Sequence, residues 1–306
     1  MTSHRPILIA GPTASGKSAL ALELAARHDG IVINADALQV YGHWRVLTAR
    51  PSQEDEGLAL HKLYGHVAPE VPYSVGAWLR DLAGVLDEAK RLEQRPIIIG
   101  GTGLYFTALT QGLAEIPEIP ADIRAVGDRM RAEGAAAFAE LERDDPTTWA
   151  RIDRNNPARL QRAWEVLHAT GRPLSAWQAD TRDPLIDLRS ADAICLDVDP
   201  NWLGVRIDQR FDLMLEDGAL EECNSWIARG LPMSLPAAKA LGAAEIIAHL
   251  KGEISRDEAR RLATIATRQF AKRQRTWFRS KMGDWQKLDI AKLGLAEAVQ
   301  AISARP

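Results

Sequence analysis

Three observations predict an α/β fold, a doubly wound parallel sheet with an all-helical domain inserted into it. Short runs of continuous apolar residues recur along the chain, longer helical patterns lie between them, and the first run leads into a glycine-rich turn followed by a helix. Runs that are apolar throughout, instead of alternating, suit strands covered on both faces. Helices between them supply the crossovers that parallel strands require.

Four runs are expected as strands: "ILIAG" (Ile7 to Gly11), "IVINAD" (Ile31 to Asp36), "PIIIGG" (Pro96 to Gly101) and "AICLDVD" (Ala193 to Asp199). The best-formed helical pattern runs from Ser74 to Gln94. Ser74 suits its N-cap, and Trp78, Leu82, Val85, Leu86 and Ala89 share one face. The strand pattern stops after Gly112, where Pro117 and Pro120 mark a linker. From there to about Arg189 the chain is charged and helical, as in Ile123 to Glu142 and Pro157 to Thr170, and strands resume at Ala193. The core is therefore expected over 1–115 and 190–306, with a helical insertion over 116–189.

With 306 residues the chain has ample apolar material for a core. A net charge of −3 gives no global affinity for nucleic acid, so any such contact must come from a local patch. Cys195 and Cys223 lack zinc-site spacing and read as two reduced, buried thiols. No run approaches the roughly 18 apolar residues of a membrane span, and "MTSHRP" has no signal-like apolar region. A soluble cytoplasmic monomer with no membrane partner is the expectation.

"GPTASGKS" comprises Gly11, Pro12, Thr13, Ala14, Ser15, Gly16, Lys17 and Ser18, and matches G-x-x-x-x-G-K-[ST]. Backbone N–H groups, the positive end of the following helix and Lys17 would hold a phosphate group, and the Ser18 hydroxyl could ligate Mg²⁺. Average residue usage gives such a match in about one chain of this length in a hundred. Here a strand precedes it and "SALALELAARH" follows it, which makes a P-loop NTPase-like core the expected fold. A P-loop ATPase usually has an apolar strand ending in Asp to hold Mg²⁺, whereas "PIIIGG" ends in glycine. That weakens an ATPase and leaves open a kinase acting on a small molecule.

Ligands of such sheets sit at the carboxyl ends of the strands, where Gly11, Asp36 and Gly100–Gly101 fall. Asp36 can accept a proton from a substrate over the loop or cap the next helix. Gln39 offers an amide for a base edge. Thr102, in "GGTGLY", can reach a phosphate oxygen or cap its helix. Arg206 and Arg210 are one helical turn apart beside the apolar stripe of Leu203, Ile207 and Phe211. They suit a leaving diphosphate or a solvated face equally. Near the C-terminus, "ATRQFAKRQRTWFRSK" holds six basic residues and no acid. Arg268, Lys272, Arg275 and Arg279 line one helical face, the footprint of a nucleic-acid site in an otherwise acidic chain. Phe270 suits the core side, while Trp277 suits either core or base stacking.

"GPTASGKS", "NADALQVY", "GGTGLYFTAL", "NNPARLQRAWEVL", "RIDQRFDLML", "GEISRDEA" and "ATRQFAKRQRTWFR" occur in an order that resembles the tRNA dimethylallyltransferases, or tRNA isopentenyltransferases, over nearly the whole chain. The resemblance implies that the loop holds dimethylallyl diphosphate where a kinase would hold ATP. It further implies transfer of the five-carbon group to the exocyclic N6 amine of the adenosine just 3′ of the anticodon. Asp36 would be the general base, with Thr102 and Arg210 near the diphosphate and reacting centre, and Mg²⁺ on Ser18. The tRNA would meet Asp36, Ala37, Leu38, Gln39, Thr102, Arg124, Ala158, Arg159, Leu160, Gln161, Arg162, Lys239 and Gly242. On the basic helix it would meet Lys272, Arg273, Gln274, Arg275, Thr276, Trp277, Phe278 and Arg279, and the helical insertion would grip the anticodon stem-loop. Other prenyl-transferring folds hold diphosphate through Mg²⁺ on DDxxD, which is missing here.

Several positions depart from the family pattern. Ala37 replaces the usual Ser after the aspartate, Arg50 stands where Lys is typical, and "HKLYGHV" lacks a common Asp. Ala243 and Ala244 replace Tyr and a basic residue, so the Lys239–Ala244 contact is the weakest expectation.

Overall fold

The computed structural model describes residues 5–304. Six strands, β1 (Ile7–Ala10), β2 (Gly30–Asn34), β3 (Leu60–Lys62), β4 (Arg95–Gly100), β5 (Asp192–Leu196) and β6 (Gln286–Leu288), form one sheet in the order β3-β2-β4-β1-β5-β6. Every strand pair is parallel. The four apolar runs are the four inner strands, β2, β4, β1 and β5. The edge strands β3 and β6 are three residues each, "LHK" and "QKL", and too short and polar to give a periodic signal.

Alternation along the inner strands divides the core. Ile7, Ile9, Val32, Ile97, Ile99, Ile194 and Leu196 pack with helices Lys17–His28 and Leu295–Ser303. Leu8, Ala10, Ile31, Ile33, Ile98, Ala193 and Cys195 pack with helices Val75–Arg91 and Gly103–Gln111. The helix after β1 thus covers one face and the helix after β4 the other. The loops leaving these neighbouring strands diverge, opening a crevice at a topological switch point.

Ser74 caps helix Val75–Arg91 by accepting from the Ala77 N–H at 3.1 Å. On its buried face, Trp78 stacks on Tyr105 with centroids 4.4 Å apart and donates to the Asn34 carbonyl at 2.8 Å. A second core lies beside the carboxyl end of the sheet, where Val40, Tyr41, Trp44 and Leu47 meet Phe211, Met214, Trp226 and Ile246. Cys195 and Cys223 are both buried free thiols. Among the described residues no helix is long and apolar enough to cross a membrane.

The chain separates into two compact units, one of residues up to Thr110 and from Leu185 onward, the other Gln111–Pro184. The second is helical and has no strand. Helices Ala121–Glu133 and Pro157–Thr170 enclose Phe138, Leu141, Leu160, Ala163 and Trp164. The helical stretch expected over Ile123 to Glu142 is interrupted at Gly134. There φ is 106°, a conformation that L side chains rarely adopt, and a 3₁₀ turn (Ala135–Phe138) and a short helix (Leu141–Asp144) follow.

Candidate active site

The turn between β1 and helix Lys17–His28 is shaped by its own residues. Left-handed Gly16 (φ 92°) is the N-cap, leaving the first helical N–H groups directed out of the turn. The Lys17 ammonium donates to the Pro12 carbonyl at 2.7 Å and lies across the loop. Burial lowers its pKa from the usual lysine value to about 8; the Asp36 charge opposes that fall and Arg210 adds to it. Helix Pro200–Glu216 adds two cations: Arg210 donates to Thr13 Oγ1 at 2.5 Å and Arg206 to the Ala14 carbonyl at 3.0 Å. Burial and the neighbouring Arg206 bring Arg210 down to about 10. The structure therefore brings Arg210 to the loop; Arg206 reaches it from an exposed position and stacks over Trp202 at 4.7 Å.

Asp36 follows β2, where the fully buried Asn34 fixes the backbone. Asn34 Oδ1 accepts from the Asp36 N–H at 2.8 Å, and its Nδ2 donates to the carbonyls of Asp36 (3.0 Å) and Leu63 (2.9 Å). Asp36 Oδ1 accepts from the Leu38 N–H at 2.9 Å, a local turn contact. No helix follows for Asp36 to cap, and among the described residues nothing donates to Asp36 Oδ2, so one oxygen holds the turn and the other is free. Thr102 Oγ1 accepts from the Ala37 N–H at 2.9 Å, tying the loop after β4 to the loop after β2. Gly101 allows this closeness: a Cβ there would stand 3.1 Å from Asp36 Oδ2 and 2.2 Å from Gln274 Nε2. Gln39 does not present its amide nitrogen to a ligand. It donates to the Thr48 and Ala49 carbonyls at 2.8 and 2.9 Å, closing the loop that leads to Pro51.

Between these groups lies a cleft open to solvent. Thr13, Asp36 and Arg210 give it polar walls, and Leu38, Leu47, Ile207, Phe211, Met214, Leu241 and Phe270 give it an apolar floor. Phe270 therefore lines the cleft, a position more specific than the core side expected of it. The floor residues Leu47, Phe211 and Met214 belong to the second core, which keeps them in place.

Helix Arg256–Lys281 is one continuous element. Its acidic neighbours change the expected basic face. Arg268 pairs with Asp208, and Arg260 with Asp212, so the stripe is neutralised toward its N-terminal end. Lys272, Arg273, Thr276 and Arg279 are exposed, and Arg275 and Trp277 are half-buried. A shallow groove is lined by Lys272, Arg273, Thr276, Trp277, Ser280 and Lys281. Two residues expected on the RNA side face inward. Phe278 packs into the sheet core, and Gln274 is 6% exposed with both ends of its amide hydrogen-bonded.

A family model described as IPP transferase matches residues 39–281, and one described as Isopentenyl transferase matches residues 5–64. The chain belongs to the IPP transferase family. A tRNA dimethylallyltransferase from Dinoroseobacter shibae is 56% identical to it over 286 residues, 93% of this chain and 95% of that one. One from Roseobacter denitrificans is 58% identical over 283 residues, 92% of this chain and 98% of that one. Among solved structures, a tRNA delta(2)-isopentenylpyrophosphate transferase from Staphylococcus epidermidis has a TM-score of 0.67 and 27% identity, with 98% of each chain covered. A eukaryotic dimethylallyltransferase acting on tRNA shares the fold with a TM-score of 0.84 at 24% identity, covering 98% of this chain and 80% of that one.

For this member of the IPP transferase family, further expected positions are redirected by burial. Leu160 is fully buried in the helical unit's core, and Gln161 is held there by Asp128 and Glu165, so neither side chain faces a partner. Ala158, Arg159, Arg162 and Arg124 are exposed. Lys239 is exposed, but Gly242 is buried where a Cβ would meet the Phe211 ring at 2.6 Å, and Ala243 is fully buried. Two structural residues escaped sequence reasoning. Asn34 reads as ordinary strand-end polarity. Glu222 accepts from the Arg45, Val46 and Leu47 N–H groups at 2.6, 2.7 and 3.1 Å, pinning one cleft wall from 175 or more residues away in sequence.

Folding lowers the Lys17 pKa, so this group favours the folded state more as pH rises from about 8 toward its unfolded value. Measured by urea unfolding, the stability of the protein relative to Lys17→Met should therefore increase between pH 7 and pH 9.5. A difference that stays constant over that range would contradict the burial of the ammonium.

Proposed function

We propose that this protein transfers a dimethylallyl group from dimethylallyl diphosphate to the exocyclic N6 amine of the adenosine 3′-adjacent to the anticodon in tRNA, releasing diphosphate. The observation that carries this is the cleft itself: an apolar floor with a phosphate-type loop on one side and a carboxylate oxygen without a partner on the other. β4 ends in Gly100, with no acid there for a nucleotide-bound metal, and an unbonded carboxylate oxygen faces the cleft, a combination that suits transfer to an amine better than hydrolysis of ATP.

In this reading the amine nitrogen attacks C1 of the prenyl group, the C1–O bond to the diphosphate breaks, and the amine proton passes to Asp36 Oδ2. An adenine amine is a weak nucleophile, and a positioned base contributes about 10²–10⁴-fold to such a step. The departing charge is held by the N–H groups at the start of helix Lys17–His28, by the Lys17 ammonium and by Arg210. Thr102 accepts from Ala37 and keeps its own hydroxyl hydrogen to donate toward the reacting centre.

A divalent cation fits the donor set. Among the described residues no cluster of three or more His, Cys, Asp or Glu could hold a metal, and Ser18 is exposed at the start of its helix. Mg²⁺ keeps several waters and binds substrate phosphates, and the Ser18 hydroxyl of the phosphate loop would hold it beside the diphosphate oxygens. When bound it would neutralise charge on the leaving group.

The target adenosine must leave its stack to reach the cleft, which costs a few kcal/mol that contacts to the RNA have to offset. Lys272, Arg273, Arg275, Thr276, Trp277 and Arg279 on the long helix supply these, together with Lys239 and with Arg124, Ala158, Arg159 and Arg162 of the helical unit. The protein acts in this reading as a cytoplasmic monomer.

Undermodified tRNA incubated with either labelled dimethylallyl diphosphate or γ-labelled ATP tests the assignment. Label should enter tRNA from the prenyl donor alone; phosphate transfer or ATP hydrolysis at a comparable rate would reject it. Lys272→Ala and Arg279→Ala should each weaken tRNA binding and lower the slope of log affinity against log salt by about one unit. An unchanged slope would show that this face does not meet the RNA backbone.

A further inference from the structure

The long helix has two faces with different tasks, and one buried side chain joins them. Its outer face carries the exposed cations Lys272, Arg273 and Arg279. On its inner face Gln274 Oε1 accepts from the Thr13 N–H at 2.9 Å, and Nε2 donates to the Gly101 carbonyl at 2.9 Å. Thr13 lies in the loop after β1 and Gly101 in the loop after β4, the two loops that diverge at the switch point. A neutral amide suits this bridge, because it accepts at one end and donates at the other within one planar group.

We propose that Gln274 is a positioning residue that couples RNA engagement on the outer face of the helix to the geometry of the diphosphate loop. Three observations support this. Gln274 is 6% exposed and its contacts are at ordinary hydrogen-bond length, so the bridge is largely shielded from water and defined in direction. Gly101 has no side chain where the amide sits, and the Trp277 indole packs over Gly103 at the start of the next helix, with Cδ1 only 2.1 Å from where a Cβ would be. Thr13 is held from two other elements, by Gln274 through its N–H and by Arg210 through its hydroxyl at 2.5 Å. A displacement of the helix when a polyanion binds its outer face therefore moves Thr13 and Gly101 together. Coupling of this kind is reciprocal: diphosphate in the loop must change RNA affinity by the same factor.

The coupling rests on the proposed prenyl transfer to tRNA, and its test separates the two. Inorganic pyrophosphate affinity is measured by calorimetry with and without saturating unmodified tRNA, for the wild type and Gln274→Met. In the wild type the two affinities should differ by about fivefold or more, the lower end of ordinary coupling between sites. In Gln274→Met they should agree within about twofold, while tRNA affinity alone stays near wild type. A purely structural role would weaken both affinities in parallel and keep their ratio. If Gln274→Met does not fold, Gln274→Glu carries the same comparison, since it can accept from Thr13 but cannot donate to Gly101. Equal affinities in the wild type, or an undiminished ratio in the variant, would overturn the coupling. Wild-type protein that transfers prenyl label yet shows no such ratio would overturn the coupling alone; absence of transfer would reject the function it rests on.

Discussion

Everything at this site depends on how the peptide around Asp36 is held. One buried amide, that of Asn34, takes up the Asp36 N–H and its carbonyl and reaches on to Leu63. Thr102 fixes the next N–H, at Ala37. A carboxylate on a mobile loop would lie near the phosphate cations and close onto them. Asp36 instead keeps one oxygen on its own backbone and leaves the other unbonded, while its charge still supports the cations on Lys17 and Arg210. Separation of charge across a cleft is costly away from water, and hydrogen bonds to the backbone on both sides maintain it here.

The second constraint is the apolar floor. Leu47 reaches the cleft from a loop pinned by Glu222 and by Gln39, and Phe211 and Met214 reach it from the helix that also carries Arg210. One helix thus supplies both a cation beside the phosphate-type loop and apolar surface for the cleft. This explains why Gly242 is buried: its lack of a side chain lets the Phe211 ring pack against the chain there.

Much of this was legible in the sequence, and what was not has identifiable causes. Continuous apolar runs mark the inner strands because both faces are covered. Three-residue edge strands carry no comparable pattern. The phosphate loop is a local motif, so its residues could be named, and Asp36 and Thr102 could be placed at strand ends. The family motif spans eight consecutive residues, whereas a helix shows any partner only part of its circumference, so the inward turn of Gln274 and Phe278 is not marked by the motif. Leu160 and Gln161 failed for the same reason. The two bonds that the Gln39 amide nitrogen donates, to carbonyls nine and ten residues on, are marked by no sequence pattern. Glu222 and Asn34 act through backbone groups, and side-chain types at those groups carry no trace of the contact.

The central claim is that the free oxygen of Asp36 receives a proton as the new bond to nitrogen forms. Single-turnover prenyl transfer by Asp36→Asn, with tRNA affinity measured in parallel, tests it most directly. The account predicts a rate lower by about 10²–10⁴-fold with tRNA affinity within a few-fold of wild type. A near-normal rate in that variant would contradict it.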